Sequence, residues 1–495
     1  MQPLTELKET VTELPRGGYL VDTKAGYIQF GSPPETIKDT MRLPEGVPFI
    51  FVLPKNLFNA DKGISLGELE FPIYWNFFIR KKKTTIICTR EQGRRLIRVL
   101  REAVFGPTYV DANQDVHPTL TDLVVPNLKE EMKFYRNFAF KDLLAYRFFR
   151  DSRVSMEGVT ISMDTAGDYD IWQDDARLAH IPGDIEYVAR YLIGARRQEP
   201  YIPPLFGVTC LGPSHGFDPE ENTSGYIVWI NHRGIMVDPP VNSTEWLLAS
   251  NVNPKFIDSI ILTHCHADHD AGTFQKIMEE SRITIYSTRT VIESFLRKYA
   301  ALSQENTEYL QQLFNFHPIY LGKPFYLHGA EFKAFYTLHS IPAIGFTINF
   351  QGHTFVYSSD HKAEPSIHQE LLKSGVISQE RYEQLQSFPW DSDVIYHESG
   401  VPPLHTSIDW LNSLPADIQK KTVVYHIAKK DFPKKTHLRL AQFGIENTLY
   451  FKVKPSQFEK TYEILGLLRH LDFSQEFPLE KIQEFVMSID EETFR

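Results

Sequence analysis

The run Thr263-His-Cys-His-Ala-Asp-His-Asp270 follows directly on Ile260, Ile261 and Leu262. It constrains the fold more than any other stretch, because it reads as a buried strand delivering metal ligands. His264, His266, Asp268 and His269 offer imidazole nitrogens and a carboxylate, the donors that hold zinc and similar divalent cations. Four candidate ligands in six residues is the density of a dinuclear site. The plainer reading, a polar strand-to-helix loop with incidental histidines, does not account for that clustering. Cys265 lies between two of these ligands, and in extended chain neighbours point to opposite sides, so its thiol is expected to face away from them.

A buried pair of cations needs donors from several elements, so the remaining ligands should close other apolar strands. Four places qualify. His339 ends the run 332–338, Asp360 follows 354–359, His397 follows 394–396 and His426 follows 422–425. Each run is rich in β-branched and aromatic residues. Upstream, Gly234-Ile-Met-Val-Asp238-Pro-Pro240 reads as another strand, with Asp238 in the Asp-Pro turn that ends it.

The ordered series His264-x-His266-x-Asp268-His269, His339, Asp360, His426 resembles the ligand set of the metallo-β-lactamase superfamily. The resemblance implies an α/β fold, the αββα four-layer sandwich. It also implies that His264, His266 and His339 hold one metal, and that Asp268, His269 and His426 hold the other. Asp360 would bridge the two together with a water or hydroxide, and Asp238 would support the loop from behind. The implied cofactor is two divalent ions, zinc first, with Mn2+ or iron as alternatives.

Tyr396-His-Glu-Ser-Gly400 followed by Pro403-Leu-His-Thr-Ser407 resembles the phosphodiesterase branch of that superfamily, which includes ribonuclease Z and the class II cyclic-nucleotide phosphodiesterases. A phosphodiester loses an alkoxide and gains charge on its oxygens, so a histidine beside the metals can protonate one or hydrogen-bond the other. His405 suits that role, with Glu398 fixing its tautomer; Asp268 and His397 complete the candidate catalytic group, His397 being equally readable as a structural neighbour. Thr406 and Ser407 serve either the phosphate or the start of the next helix.

Three features favour a cyclic nucleotide over RNA. The stretch between metal loop and third histidine carries helical patterns over 291–302 and 308–313 rather than a Gly/Pro-rich arm. The formal net charge is −11, with a pI near 5.9, where an RNA-processing surface is basic. The end of the chain, 457–495, resembles the helices that precede a cyclic-nucleotide-binding barrel, as in bacterial class II-type phosphodiesterases fused to such domains; a plain amphipathic helical pair is the alternative. The expected activity is hydrolysis of a 3′,5′-cyclic nucleotide (cAMP or cGMP) to a 5′-nucleotide by a metal-bridging hydroxide. A ribonuclease Z-like RNA phosphodiesterase and a diiron oxygen-binding or redox protein are the rivals.

At 495 residues the chain divides into an accessory α+β domain over 1–198, a catalytic domain over 205–452 opened by the proline-rich joint 198–204, and the helical segment 457–495. In the first region, 26–31, 48–54 and 84–88 read as strands, 91–103 as an amphipathic helix, and 159–163 with 170–172 as a hairpin. Arg80 to Lys83 with Arg94, Arg95, Arg98 and Arg101 read as a solvated helix face and strand edge. The region is expected to shape the active-site mouth, regulate it or form a homodimer. No apolar run is long enough to span a bilayer, and Cys88, Cys210 and Cys265 have no disulfide or metal spacing, so a cytoplasmic enzyme with a small cyclic-nucleotide substrate and no nucleic-acid or membrane partner is expected.

Overall fold

The computed structural model describes residues 4, 9–120, 123–190, 196–280, 283–455 and 481. The helical segment read over 457–495 lies, Lys481 apart, outside the described residues. Strands Phe206–Gly212, Gly225–Ile230 and Arg233–Val237 are buried along their whole length, as near-continuous apolar runs are when both faces of a sheet are covered. They pair antiparallel, and the sheet continues in parallel through Ile257–Ile261, Thr284–Ser287 and Asn315–Pro318. Leu449–Tyr450 closes the far edge, giving seven strands. The second seven-stranded sheet runs in chain order from Phe325–Leu327 to Arg439–Leu440. It is antiparallel as far as His353–Tyr357 and parallel through Val394–Glu398 and Thr422–Tyr425.

The two sheets pack face to face. Phe206, Val228 and Val237 of the first share one core with Phe346, Tyr357 and Tyr425 of the second, and the Tyr226 and Tyr357 rings meet across the gap at 5.5 Å. Helix Arg289–Ser303 buries Phe295 and Leu302 on the outside of the first sheet. Leu411 of helix Ile408–Asn412 covers Val424 on the outside of the second. This is the αββα four-layer sandwich implied by the resemblance. Arg233–Val237, Ile257–Ile261, His353–Tyr357, Val394–Glu398 and Thr422–Tyr425 send their C-terminal ends to one edge of the sandwich, which is where the candidate ligands follow.

Ahead of the sandwich stand a six-stranded sheet, from Val11–Glu13 to Leu144–Phe148, and a four-stranded antiparallel sheet, Arg153–Met156 to Ala176–Ile181. The hairpin read from the sequence forms, with Val159 opposite Gln173, as the centre of that four-stranded sheet. Helix Arg90–Ala103 starts on a capping box made by Thr89 and Gln92 and lies along Arg289–Ser303. Here the solvated-face reading of the arginines is corrected at one position. Arg95 is buried, its Nε donating to the Ala301 carbonyl at 2.8 Å and its Nη2 to that of Leu302, because it caps the last turn of the neighbouring helix.

A second tie crosses from the N-terminal region to the second sheet. Arg381 donates from Nε and Nη2 to the two Glu131 oxygens at 2.8 and 3.0 Å, and from Nη1 and Nη2 to the Tyr336 and Thr337 carbonyls. Both side chains are buried. Removing one partner leaves a buried charge unpaired, which costs about 3–5 kcal/mol. Glu131→Ala should lower unfolding free energy by that amount in denaturant titration; a loss below about 1 kcal/mol would contradict the assignment.

Candidate metal centre and active-site cavity

The metal loop is held from below by one carboxylate. Asp238 sits at the end of Arg233–Val237 with a left-handed φ of 48°. It accepts from the Thr263 backbone N–H at 2.8 Å, the Thr263 hydroxyl at 2.6 Å and His269 Nδ1 at 2.9 Å. Lys298 grips the loop from behind, donating to the Cys265 carbonyl at 3.1 Å and to Asp270 at 2.8 Å. Glu70, from the N-terminal region, accepts from the Ala267 N–H at 3.1 Å. The Cys265 thiol points at the Val291 carbonyl, 3.6 Å away, on the far side from the histidines as its position in the extended run predicts.

Seven of the sequence candidates converge. His266 Nδ1 and His339 Nε2 stand 3.1 Å apart, and His264 Nε2 and His339 Nε2 are each 3.5 Å from Asp360 Oδ2. On the other side, His269 Nε2 lies 3.2 Å from Asp360 Oδ1, and His426 Nε2 lies 3.7 Å from Asp268 Oδ2 and 3.9 Å from Asp360 Oδ2. These are edge lengths of a ligand shell: nitrogens about 2.0–2.1 Å from a tetrahedral zinc sit about 3.3–3.4 Å from one another. The second ring nitrogen of several histidines is held by the protein, His269 on Asp238, His426 on the Ser224 hydroxyl at 2.9 Å and His264 on the Thr263 hydroxyl at 3.0 Å. That fixes which nitrogen is presented to the centre.

The donor set fits a divalent cation. Asp360 is fully buried with neither oxygen accepting a hydrogen bond from the described residues, and His264 Nε2 and His269 Nε2 are likewise buried without a hydrogen-bond partner among them. A buried carboxylate in that state requires a positive partner. Burial holds His266, His339 and His426 well below the ordinary histidine range, so they are neutral and keep a lone pair to give. For His269 burial is outweighed by Asp360 and Asp268, and its pKa is held well above the ordinary value; a cation among the same carboxylates takes the place of that proton.

Beside the cluster, Glu398 accepts four hydrogen bonds, from the His361, Thr406 and Gly400 backbone N–H groups and from His405 Nδ1 at 3.1 Å. His405 Nδ1 is also 3.7 Å from Asp360 Oδ2. Burial works against charging His405, but Glu398 and Asp360 prevail and raise its pKa. Gly400 is required between the rings: a Cβ there would stand 2.6 Å from both His405 and His426. His397 is not part of the cluster. Within strand Val394–Glu398 it takes the face opposite Glu398, stacks on Trp390 at 5.3 Å and donates from Nδ1 to the Glu398 carbonyl at 2.8 Å. Ser407 caps helix Ile408–Asn412, and the Thr406 hydroxyl donates to the His361 carbonyl at 2.6 Å.

His266, Asp268, Asp360, His405 and His426 line one end of a cavity of about 980 Å³. Its other walls come from residues the sequence reading did not single out. Phe71, Tyr74, Trp75 and Phe78 lie on helix Glu70–Tyr74 and the π-helical turn Trp75–Ile79, and Phe138 and Phe217 join them. The available signal was the density of rings, five aromatics in residues 71–78; the wide turn that carries part of them, a form that concentrates at functional sites, is seen only in the structure.

Asp238→Asn should lower the affinity for a divalent metal about 10–100-fold, since supports of ligand histidines contribute on that scale. Titration against a competing chelator measures it, and an unchanged affinity would remove Asp238 from the centre.

Comparison with known proteins fits this geometry. The family described as Anti-Pycsar protein Apyc1 matches residues 206–450. The cGMP-dependent 3′,5′-cGMP phosphodiesterase A of Dictyostelium discoideum is 31% identical, over 96% of this chain and 70% of that protein. The cAMP/cGMP-dependent 3′,5′-cAMP/cGMP phosphodiesterase B of the same organism is 31% identical, over 93% of this chain and 47% of that protein. Among solved structures, the short form of human tRNase Z aligns with a TM-score of 0.36 and 17% identity, covering 50% of this chain and all of its own, 100%. At the identity and coverage of the first relative, this chain belongs to the family of the Dictyostelium discoideum cGMP-dependent 3′,5′-cGMP phosphodiesterase A.

Proposed function

We propose that the chain is a dinuclear-metal phosphodiesterase that hydrolyses a 3′,5′-cyclic nucleotide to the 5′-nucleotide. The observation that carries the reading is the gathering of His264, His266, His339, Asp268, His269 and His426 around the two bare oxygens of Asp360, beside the His405–Glu398 pair. In this reading the first three histidines would hold one cation and Asp268, His269 and His426 the other, with Asp360 within reach of both sets; zinc suits the nitrogen-rich set. The names of the two relatives, phosphodiesterases of cGMP and of cAMP/cGMP, support the substrate class.

Bound cations supply a nucleophile at neutral pH and offset the charge on the phosphoryl oxygens. The chain's own groups do the rest. With Nδ1 engaged by Glu398, His405 keeps Nε2 for the cavity it lines and gives its proton to the ester oxygen that departs as the P–O3′ bond breaks. Lys362 donates to the His405 carbonyl at 2.7 Å and to Glu364 at 2.9 Å, so the histidine's backbone is fixed as well as its ring. Residues 1–198 act as an accessory region that walls the cavity opposite the metal-binding domain, 205–452.

Hydrolysis of cyclic AMP or cyclic GMP by the metal-loaded chain, abolished by chelation and restored by zinc or manganese, is the expected result; no turnover of either with both metals bound would refute the reading. His405→Ala should reduce kcat about 10²–10⁴-fold while metal content holds. The carboxylate of Glu398 raises the His405 pKa, so the protonated acid is lost only as pH rises through that raised value. Glu398→Gln should therefore move the alkaline limb of the kcat profile to lower pH; an unmoved limb would separate Glu398 from the proton donor.

A further inference from the structure

The loop between strands Phe206–Gly212 and Gly225–Ile230 reaches the metal-binding edge and carries a histidine that the chemistry above does not use. On one side of His215, the Pro213 carbonyl accepts from the His426 backbone N–H at 2.7 Å; on the other, the Gly216 N–H donates to Asp268 at 3.2 Å. The loop is also tied to itself. Ser214 donates to Asp218 at 2.8 Å, and the Ser224 hydroxyl, 2.9 Å from His426 Nδ1, donates to the Ser214 carbonyl at 2.9 Å. Gly216 is required for this course, since a Cβ there would stand 2.4 Å from the Phe71 ring. His215 is thus fixed beside the half of the centre formed by Asp268 and His426, its ring 5.7 Å from that of His426; the His405 ring stands 4.8 Å from the same residue.

The loop sets the tautomer as well. The Phe217 backbone N–H donates to His215 Nδ1 at 3.2 Å, so Nδ1 carries no hydrogen and the ring proton is on Nε2. That Nε2 has no hydrogen-bond partner among the described residues and, unlike the enclosed nitrogens of His264 and His269, keeps accessible surface. The side chain is 8% exposed and lines the cavity. A nearly buried N–H for which the protein supplies no acceptor is a donor held for a ligand. Lys362, another donor in the same wall, is already committed to Glu364 and to the His405 carbonyl. The two histidines also differ in what faces Nδ1. His405 has the Glu398 carboxylate there and can carry a second proton, whereas His215 has a backbone N–H and stays a neutral imidazole.

Resting on the phosphodiesterase reading, we infer that His215 is a further catalytic residue, whose neutral Nε2–H donates to a non-bridging phosphoryl oxygen of the cyclic nucleotide while His405 serves the departing O3′. The negative charge of a phosphodiester lies on its two non-bridging oxygens and grows there as the nucleophile adds. A donor fixed in advance at that point binds the transition state more strongly than the substrate. The fixed tautomer suits His215 to hold the oxygen without protonating it.

The test uses two variants of the metal-loaded chain. His215→Asn keeps an acceptor for the Phe217 N–H but ends short of Nε2, and it should lower kcat/KM for cyclic AMP and cyclic GMP about 10²–10³-fold with metal content unchanged by elemental analysis. His215→Gln, which carries an N–H nearly as far out as Nε2, should recover about 10-fold of that loss. The Rp and Sp cyclic adenosine phosphorothioates each replace one non-bridging oxygen by sulfur, a weak acceptor. For one of them the oxygen-to-sulfur rate ratio should fall about 10-fold on going from wild type to His215→Asn, and for the other it should hold. An Asn variant as fast as wild type, loss of metal from it, a Gln variant no faster than Asn, or ratios unchanged for both phosphorothioates would each overturn the assignment, while wild-type turnover upholds the phosphodiesterase reading. Absence of wild-type turnover of both cyclic nucleotides removes both.

Discussion

Asp360 is wholly buried where the two sheets meet, and neither of its carboxylate oxygens accepts a hydrogen bond from the described residues. A bare carboxylate in that setting costs several kcal/mol unless a positive charge joins it. Every neighbouring feature is arranged around that requirement. Five histidines turn a nitrogen toward it, Asp238 and the Ser224 and Thr263 hydroxyls hold the rings in place, and Glu398 fixes a sixth, His405, against the same oxygen. The centre is assembled to be completed by cations.

The backbone accepts strain to reach this arrangement. Asp238, Ser359 and His426 end their strands at φ of 48°, 50° and 60°, a region that costs a non-glycine residue of order 1–3 kcal/mol. In each case the turn brings a side chain back over the strand end, and the surrounding hydrogen bonds hold it there. The same edge of the sandwich is roofed by the N-terminal region, whose Glu70 supports the metal loop and whose aromatic residues wall the cavity. Metal loop, cavity wall and N-terminal sheet therefore form one connected unit, secured at a distance by the buried Arg381–Glu131 pair and the partly buried Arg297–Glu102 pair.

Much of the site was readable because it obeys local rules. Clustered histidine and aspartate after an apolar run marks a metal loop wherever it occurs, and the later ligands follow their own β-rich runs at 332–338, 354–359 and 422–425. Period-two alternation placed Cys265 away from the centre, and it also explains why His397 and Glu398 face opposite ways; the sequence assigned Glu398 to His405 and left His397 readable either as a catalytic group or as a structural neighbour. Arg95 shows the limit of such rules, since a residue on an apparently polar helix face is buried when another helix ends against it.

The sequence alone determined the ligand types, their order and the strands that carry them, because hydrophobic period and donor chemistry act over a few residues. The tertiary structure decided which ligands share an oxygen, which histidine pairs with a carboxylate beside the centre, and that Phe71 and Trp75 line the same cavity from a region distant in sequence. Those relations depend on the packing of the two sheets and of the accessory helices, where contacts between residues about 200 positions apart are set by mutual burial and not by anything adjacent in the chain.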